Sequence, residues 1–165
     1  MNIGIDIDDT LTDIRDKLNL AAEKYANELG KENKNEEDKY VEDNNNGNVY
    51  QIKYGFTYEE LKYFLSVIHE GITKKEEPRK NCVEIIRKLH NEGNKIYIIT
   101  ARDSEFHEDP YKLSKDWLDK NNIYYDELIV NARNKLEVCQ RKNIDLFIDD
   151  QLANCTKLSE AGIKV

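Results

Sequence analysis

The stretch "IGIDIDDTLTD", residues 3–13, joins a short apolar run directly to a cluster of carboxylates. Asp6, Asp8 and Asp9 follow each other closely at the end of what the apolar pattern predicts to be a buried strand. Carboxylates this close together repel each other, and burial adds to the cost. The stretch therefore predicts a compensating partner, for which a divalent cation and a phosphate group are the natural candidates.

Three later apolar runs resemble the first one, and each also ends in polar residues. They are "NKIYIIT" up to Thr100, "DELIVN" up to Asn131 and "DLFIDD" up to Asp149 and Asp150. Nearly continuous Ile, Leu, Val and Tyr is typical of strands that are buried on both faces, as in a parallel sheet. Helical stretches alternate with these runs. The pattern predicts a three-layer, Rossmann-like α/β fold with a parallel sheet.

One long interval interrupts this alternation, because residues 14–76 exceed a single crossover helix and contain no comparable strand. We expect a helix over 14–30 and an amphipathic helix over 57–71, separated by a polar, Asn-rich loop over 31–48 that we expect to be mobile. The interval therefore predicts a small, mostly helical cap inserted after the first strand. The catalytic core is then formed by residues 1–13 and 77–165.

Composition narrows the classes of partner. The 165 residues fit one domain with an insertion, and the formal net charge of −8 argues against broad binding to nucleic acid polymers or membrane surfaces. The three cysteines form no CxxC pair, which favours reduced thiols. No stretch approaches the roughly 20 apolar residues of a membrane span. We expect a soluble, cytoplasmic protein whose partner is a small molecule, while its oligomeric state is not predictable.

The polar strand ends are expected to meet. In an open parallel sheet, ligands bind in the crevice at the carboxyl ends of the strands. That rule brings together Asp6, Asp8, Thr100, Asp149 and Asp150. Several converging carboxylates would repel each other strongly without a cation, and hard oxygen ligands of this kind suit Mg²⁺, which a substrate phosphate often completes. The sequence therefore predicts a magnesium site.

At this point the residues resemble a known family. "DIDDT", residues 6–10, is similar to the DxDxT motif of the haloacid dehalogenase superfamily of phosphatases, and a strand ending in Thr100, a lysine on a later helix and a strand ending in an acidic pair follow in that superfamily's order. "IITAR", "KDWLDKNNIYYDELIV" and "LFIDDQLANC" look most like the cytosolic 5′(3′)-deoxyribonucleotidases (type C) and their bacterial relatives. The resemblance covers nearly the whole chain. It implies a Mg²⁺-dependent phosphomonoester hydrolase, a 5′-nucleotidase acting on (deoxy)nucleoside monophosphates.

The resemblance also implies a role for the acidic residues. Asp6 is expected to attack phosphorus, giving an aspartyl-phosphate, and to bind the metal. Asp8 is expected to protonate the leaving oxygen, to activate the hydrolytic water and to give its backbone carbonyl to the metal. Asp149 is expected to be a direct Mg²⁺ ligand. Asp150 is either an outer residue that orients metal-bound waters or a cap of the following helix, and the sequence does not distinguish these roles.

Three further residues are expected to bind the phosphoryl group. The Thr100 hydroxyl and the Lys135 ammonium would stabilise its charge, which is usually the largest catalytic contribution. Thr10 is expected to order the turn and to donate to phosphate through its backbone. The alternative for Lys135 is an ordinary surface lysine, and Arg102 either contacts substrate or caps its strand end.

Some residues favour plainer interpretations. Asp9 is more simply a turn residue and Asp13 a helix N-cap. The three histidines lack metal-ligand spacing and are expected at the surface or in helices; they are His69, His90 and His107. An aromatic cluster in the cap could either stack on a nucleobase or pack the cap; it comprises Tyr50, Tyr54, Phe56, Tyr58, Tyr63 and Phe64.

Two alternatives to a nucleotidase remain open from sequence. A phosphatase of sugar or other small-molecule phosphates would have the same site residues and differ only in the cap. A phospho-accepting, receiver-like signalling domain also combines an acidic pair, a threonine and a lysine on a parallel sheet. Receivers usually carry the acidic pair before the phospho-acceptor and lack a cap-sized insertion, and Asp8 supplies an acid/base that shortens the intermediate's lifetime.

Overall fold

The computed structural model describes residues 1–34 and 49–165, so most of the predicted polar loop over 31–48 lies outside the described residues. The four predicted strands are present. They are β1 (Asn2–Ile5), β2 (Lys95–Ile99), β3 (Glu127–Ile129) and β4 (Leu146–Ile148). Each is somewhat shorter than its apolar run, because the polar residue that ends the run lies beyond the strand.

The strands form one parallel sheet in the order β3-β2-β1-β4. Ile3 of β1 lies opposite Ile96 of β2 on one side and Leu146 of β4 on the other. The first strand is therefore central, and the residues that follow it lie in the middle of the sheet's carboxyl edge. The predicted α/β fold with a parallel sheet is confirmed.

Helices fill the intervals between the strands. In chain order they are α1 (Arg15–Glu28), α2 (Val49–Tyr54), α3 (Tyr58–Tyr63), a π-helical turn (Phe64–His69), α4 (Glu70–Thr73), α5 (Cys82–Asn91), α6 (Pro110–Lys120), α7 (Lys135–Arg141) and α8 (Leu152–Glu160). No helix within the two described ranges is long and apolar enough to cross a membrane.

The helical interval after β1 differs from its prediction in two details. The expected amphipathic helix is continuous in space, but its middle turn is π-helical, so α3, the π-helical turn and α4 follow one another without a break. The short helix α2 was not predicted. The start of α3 is fixed by a capping box, in which the Thr57 hydroxyl accepts from the Glu60 N–H and the Glu60 carboxylate accepts from the Thr57 N–H.

Three apolar clusters hold the elements together. Two of them include strand residues of the sheet; one of these clusters contains Trp117 and the other contains Phe147. The third lies among α1, α2, α3 and the π-helical turn, and it includes Tyr54, Phe56 and Phe64. Phe106, from the loop after β2, packs against this third cluster and so connects it to the sheet region.

Gly4 of β1 has a packing reason. A Cβ at this position would collide with the ring of Phe147, which pairs opposite it on β4. Glycine leaves room for the phenylalanine ring against the central strand. This contact brings β4, and with it Asp149, close to the end of β1.

Candidate active site

The carboxyl edge of the sheet places the predicted polar residues together. The Asp6 N–H donates to the Ile148 carbonyl at 3.0 Å, and the Thr100 N–H donates to the Ile129 carbonyl at 3.0 Å. Both residues therefore continue the hydrogen-bonding ladder one step past their strands, which fixes their backbones. Asp149 directly follows β4.

Lys135 connects two of these carboxylates. Its Nζ lies 3.1 Å from Asp6 Oδ1 and 2.6 Å from Asp149 Oδ2. The lysine side chain is 4% exposed and that of Asp149 is 0% exposed. The lysine is the first residue of α7, whose start is capped by the side chain of Asn134. The interpretation of Lys135 as a surface lysine is therefore wrong.

Burial and charge shift the ionisation of this group in a consistent way. Burial raises the pKa of Asp6 to about 7, against the opposing charge of Lys135. Burial lowers the pKa of Lys135, but the negative charges of Asp6 and Asp149 outweigh this effect and raise it. The lysine therefore remains a cation, while Asp6, with a pKa near neutrality, is only partly ionised there, so added positive charge would favour its carboxylate form.

Asp8 has a different partner. The Arg102 Nε donates to Asp8 Oδ2 at 2.9 Å and its Nη2 donates to Asp8 Oδ1 at 2.7 Å, which is a bidentate pair. The arginine side chain is only 2% exposed, whereas that of Asp8 is 27% exposed. Burial raises the pKa of Asp8, but the charge and hydrogen bonds of Arg102 outweigh it and hold the pKa at about 2.

Arg102 is held by its own neighbours. Its backbone N–H donates to Thr100 Oγ1 at 3.3 Å, and its Nη1 donates to Ser114 Oγ at 3.4 Å. The arginine thereby fixes both carboxylate oxygens of Asp8. Its expected contact with substrate stays a prediction.

The residues present fit a divalent cation. Oxygen atoms of Asp6, Asp149 and Asp150 all lie within 4.8 Å of one another. Carboxylate oxygens at this spacing are hard donors of the kind that Mg²⁺ takes. The Asp8 carboxylate lies outside this group, because Arg102 holds it. The expected metal contact of Asp8 is its backbone carbonyl, and that contact stays a prediction.

Asp149 and Asp150 take different hydrogen-bond partners. The Gln151 N–H at the start of α8 donates to Asp149 Oδ1 at 2.9 Å, so Asp150 does not supply that bond. Asn154, which the sequence analysis did not single out, donates through Nδ2 to Asp149 Oδ2 at 3.0 Å. Asp150 itself pairs with Arg15 and accepts from the Thr10 hydroxyl at 3.4 Å.

The turn after β1 shows that one expected cap was wrong. Asp9 has a positive φ of 57°, and its Oδ1 accepts from the N–H groups of Ile14 and Arg15 at 3.1 and 2.8 Å. The left-handed turn thus directs Asp9 to the start of α1. Asp13, the predicted N-cap, is exposed and pairs with Arg79.

Two threonines were expected to bind phosphate. Thr100 is 1% exposed and its hydroxyl is available to donate, since in the Arg102 contact it acts as acceptor. The Thr10 N–H donates to the Ile7 carbonyl at 3.3 Å, so a phosphate oxygen would have to share or replace this bond. The phosphate contacts of both residues stay predictions.

Two histidines that were expected at the surface or in helices are buried. His69, at the end of the π-helical turn, is 8% exposed, and His107, in the loop after β2, is 6% exposed; neither lies at the surface. Their rings are 5.5 Å apart. His107 Nδ1 lies 3.1 Å from Glu70 Oε1, which joins the cap helix to the core. Sequence gave no signal for this pairing.

The cap aromatics are mostly engaged with each other. Tyr54, Phe56 and Phe64 are buried in the cap's apolar cluster, in agreement with the packing interpretation. Tyr50 packs on Phe64 with ring centroids 4.7 Å apart. Burial raises the pKa of Tyr50, and the negative charges of Asp9 and Asp8 in the turn after β1 raise it further. Tyr50 therefore lies near this turn.

Comparison with known proteins identifies the family that this chain matches. A family model described as cytosolic type C 5′ nucleotidase, deoxy (pyrimidine), matches residues 1–165. A nucleotidase of Clostridium acetobutylicum is 32% identical over 166 aligned residues, which cover 100% of this chain and 78% of that protein.

Solved structures share the fold at low sequence identity. A haloacid dehalogenase-like hydrolase from Streptococcus pneumoniae superposes with a TM-score of 0.65 and 16% identity, covering 98% of this chain and 81% of that one. A haloacid dehalogenase-superfamily hydrolase of subfamily IA from Geobacter sulfurreducens gives a TM-score of 0.60 and 14% identity, covering 98% and 86%. At these identities the likeness concerns the fold alone.

Proposed function

Because the chain belongs to the cytosolic type C 5′-nucleotidase family of phosphomonoester hydrolases, we propose that it removes phosphate from (deoxy)nucleoside monophosphates through an aspartyl-phosphate on Asp6. One observation supports this proposal above the others. Asp6, Lys135 and Asp149 form a buried, charge-alternating row at the carboxyl edge of the sheet, with Asp8 two residues away from the nucleophile.

The division into domains is part of the proposal. Residues 1–13 and 77–165 form the catalytic core, and residues 14–76 form the cap. The separate apolar cluster among α1, α2 and α3 supports this division. Asp6 and Asp8 belong to the core, and His69 of the cap has its ring centroid 5.5 Å from that of His107 of the core.

In the first step, an Asp6 carboxylate oxygen attacks phosphorus while the ester P–O bond breaks and Asp8 gives its proton to the leaving oxygen. In the second step, water attacks the phosphorus of the aspartyl-phosphate, Asp8 takes the water's proton, and Asp6 is released with inorganic phosphate. Lys135 and the Thr100 hydroxyl stabilise the charge of the transferring group. Atoms and protons balance over the two steps, and Asp8 is regenerated in its acid form.

Mg²⁺ held by Asp6, Asp149 and the Asp8 carbonyl, with Asp150 beside it, would add the positive charge that keeps Asp6 ionised and neutralises phosphate oxygens. The pKa of Asp6 near 7 supports the need for that charge. Asp8, by contrast, is ionised while Arg102 holds it, which suits the base of the second step. Its role as acid in the first step requires its pKa to rise when the negative charge of a substrate phosphate lies beside it, while Arg102 keeps it oriented.

The test is phosphate release in the presence of Mg²⁺ over a substrate panel. The panel contains deoxy- and ribonucleoside 5′- and 3′-monophosphates, sugar phosphates and nitrophenyl phosphate, with Asp6→Asn as the inactive control. Preference for nucleoside monophosphates supports the proposal. Activity confined to sugar phosphates would favour the second phosphatase and would refute the nucleotide substrate while keeping the chemistry.

A further inference from the structure

We propose that His69 is a specificity-determining residue, whose Nδ1 hydrogen-bonds the sugar portion of the substrate next to the ester oxygen that leaves. This inference rests on the proposed function and extends it to a single atom of the cap. Three observations lead to it: an unpartnered buried atom, its neighbours, and the helix geometry that places it.

The first observation is an unmet hydrogen bond. Among residues 1–34 and 49–165, the buried side-chain atoms without a hydrogen-bond partner are His69 Nδ1, Thr73 Oγ1 and His90 Nδ1. A buried polar atom without a partner carries a cost, so each such atom calls for a specific reason. His69 is 8% exposed, which leaves its Nδ1 well shielded from bulk water.

The second observation is the surroundings of that atom. Asp8, Arg102, His107 and Glu70 are the charged or titratable groups that act on His69, and His69 in turn acts on Asp8. Two of these neighbours come from the catalytic turn and from the strand end of β2. The His69 ring centroid also lies 5.5 Å from that of His107, so these residues form one group around Asp8, called the Asp8 cluster below. His90, on helix α5, stacks instead on the ring of Tyr124.

The third observation is the π-helical turn. A π-helical turn closes i→i+5 hydrogen bonds, so residues five positions apart come to share a face. Phe64 and His69 stand five positions apart, at the two ends of this turn, and both side chains are buried. The turn thus places Phe64 in the cap's apolar cluster and His69 against the core at the same time. Such turns are rare and are frequently found at functional sites.

The position of the leaving oxygen in the proposed reaction indicates which part of the substrate lies near His69. A general acid must lie within hydrogen-bond reach of the leaving oxygen, so that oxygen lies beside Asp8. The organic group attached to it then starts beside Asp8 and extends toward the cap. In a nucleoside monophosphate this group is the sugar, and His69 is a cap residue in the Asp8 cluster with an unused polar atom.

The experiment compares variants on two substrates, a deoxynucleoside 5′-monophosphate and nitrophenyl phosphate, which has no sugar. His69→Leu removes the hydrogen bond, and His69→Asn restores a polar atom near the position of Nδ1. Thr73→Val and His90→Phe are matched controls, because each removes another buried unpartnered atom without touching the Asp8 cluster. Thermal melting of every variant establishes that it is folded.

The expected result is a rise of roughly tenfold in KM for the nucleotide in His69→Leu, with kcat/KM for nitrophenyl phosphate unchanged. His69→Asn should recover part of the loss, and both controls should match the wild type. A nucleotide KM for His69→Leu within twofold of the wild type would overturn the inference, as would equal losses on both substrates. If the wild type itself releases no phosphate from nucleotides, the proposed function fails first, which separates the two failures.

Discussion

The guanidinium of Arg102 holds both carboxylate oxygens of Asp8, at 2.9 and 2.7 Å, although the two residues are 94 positions apart in the chain. The pair joins the turn after the first strand to the end of the second. It fixes the orientation of Asp8, because two hydrogen bonds in one plane leave the carboxylate little freedom to rotate.

Arg102→Lys should therefore impair catalysis selectively. Lysine keeps the charge but cannot hold both oxygens, so Asp8 loses its orientation. In the proposed mechanism, esters with poor leaving groups need the proton from Asp8, whereas nitrophenyl phosphate does not. We expect kcat/KM for nucleotides to fall by at least roughly tenfold, with a much smaller fall for nitrophenyl phosphate. Arg87→Lys, on the exposed face of α5, is the control, and equal losses on both substrates would reduce Arg102 to a structural role.

Lys135→Ala should affect both activity and stability. It removes the cation between Asp6 and Asp149 and leaves two buried carboxylates facing each other. We expect a loss of about 10²–10³ in kcat, as for one preorganised donor, and a lower melting temperature without Mg²⁺. Lys142→Ala is the matched control, since it removes a half-exposed lysine paired with Glu127. An unchanged kcat would exclude Lys135 from phosphoryl binding.

Magnesium should raise the melting temperature in a concentration-dependent way, because a ligand that binds only the folded state stabilises it by mass action. Asp149→Asn should weaken Mg²⁺ binding measured by titration calorimetry. Asp13→Asn, which alters an exposed carboxylate near the same turn, should leave it intact. A normal titration in Asp149→Asn would remove Asp149 from the ligand set.

The free energy of unfolding should fall as the pH is lowered, because His69 is buried in its neutral form. Burial lowers the pKa of His69 from 6.5 to about 4, in a cluster with Asp8, Arg102, His107 and Glu70. Between those values the unfolded chain binds a proton that the folded protein does not, so the contribution to stability is lost as pH falls from 6.5 to 4. It amounts to on the order of 3 kcal/mol. Urea unfolding at several pH values should give a flatter profile for His69→Leu, and parallel profiles would contradict the assignment.

Gly4→Ala should destabilise the core. The added Cβ collides with the Phe147 ring, and overpacking of this kind costs about 1–3 kcal/mol. Gly71→Ala is the control, because nothing lies within 4 Å of its position in α4 and alanine favours helix there. Chemical denaturation measures both free energies of unfolding, and a neutral Gly4→Ala would show that the ring can move aside.

The strands and the meeting of their polar ends could be predicted from sequence, because both depend on patterns along the chain. Apolar runs mark buried strands, and parallel topology brings Asp6, Thr100 and Asp149 to one edge. The position of Lys135 could be expected only from the family's order of motifs. Its contact with two carboxylates depends on how α7 begins after β3, which periodicity does not specify.

Other features depend on side-chain contacts that leave no local pattern. The bond between Arg102 and Asp8 is one of several partners an arginine at that strand end could take. The π-helical turn shifts the helix by a single residue, which is too small a change for hydrophobic spacing to reveal. The residue type of His69 does not predict whether it is exposed or buried, because its burial depends on how the helices of the cap pack. Asp9 displaced Asp13 as helix cap because its left-handed backbone directs its carboxylate to α1.

The most direct test of the central claim is to trap phosphate on Asp6. Asp8→Asn can still form the intermediate from nitrophenyl phosphate, whose leaving group needs no acid, but it lacks the base that hydrolyses it. Rapid acid quench with radiolabelled substrate and Mg²⁺, followed by peptide mapping, should find label on the peptide that contains Asp6. The label should be sensitive to hydroxylamine and absent from Asp6→Asn. Phosphate release from the wild type with no label on Asp6 in Asp8→Asn would contradict the covalent mechanism.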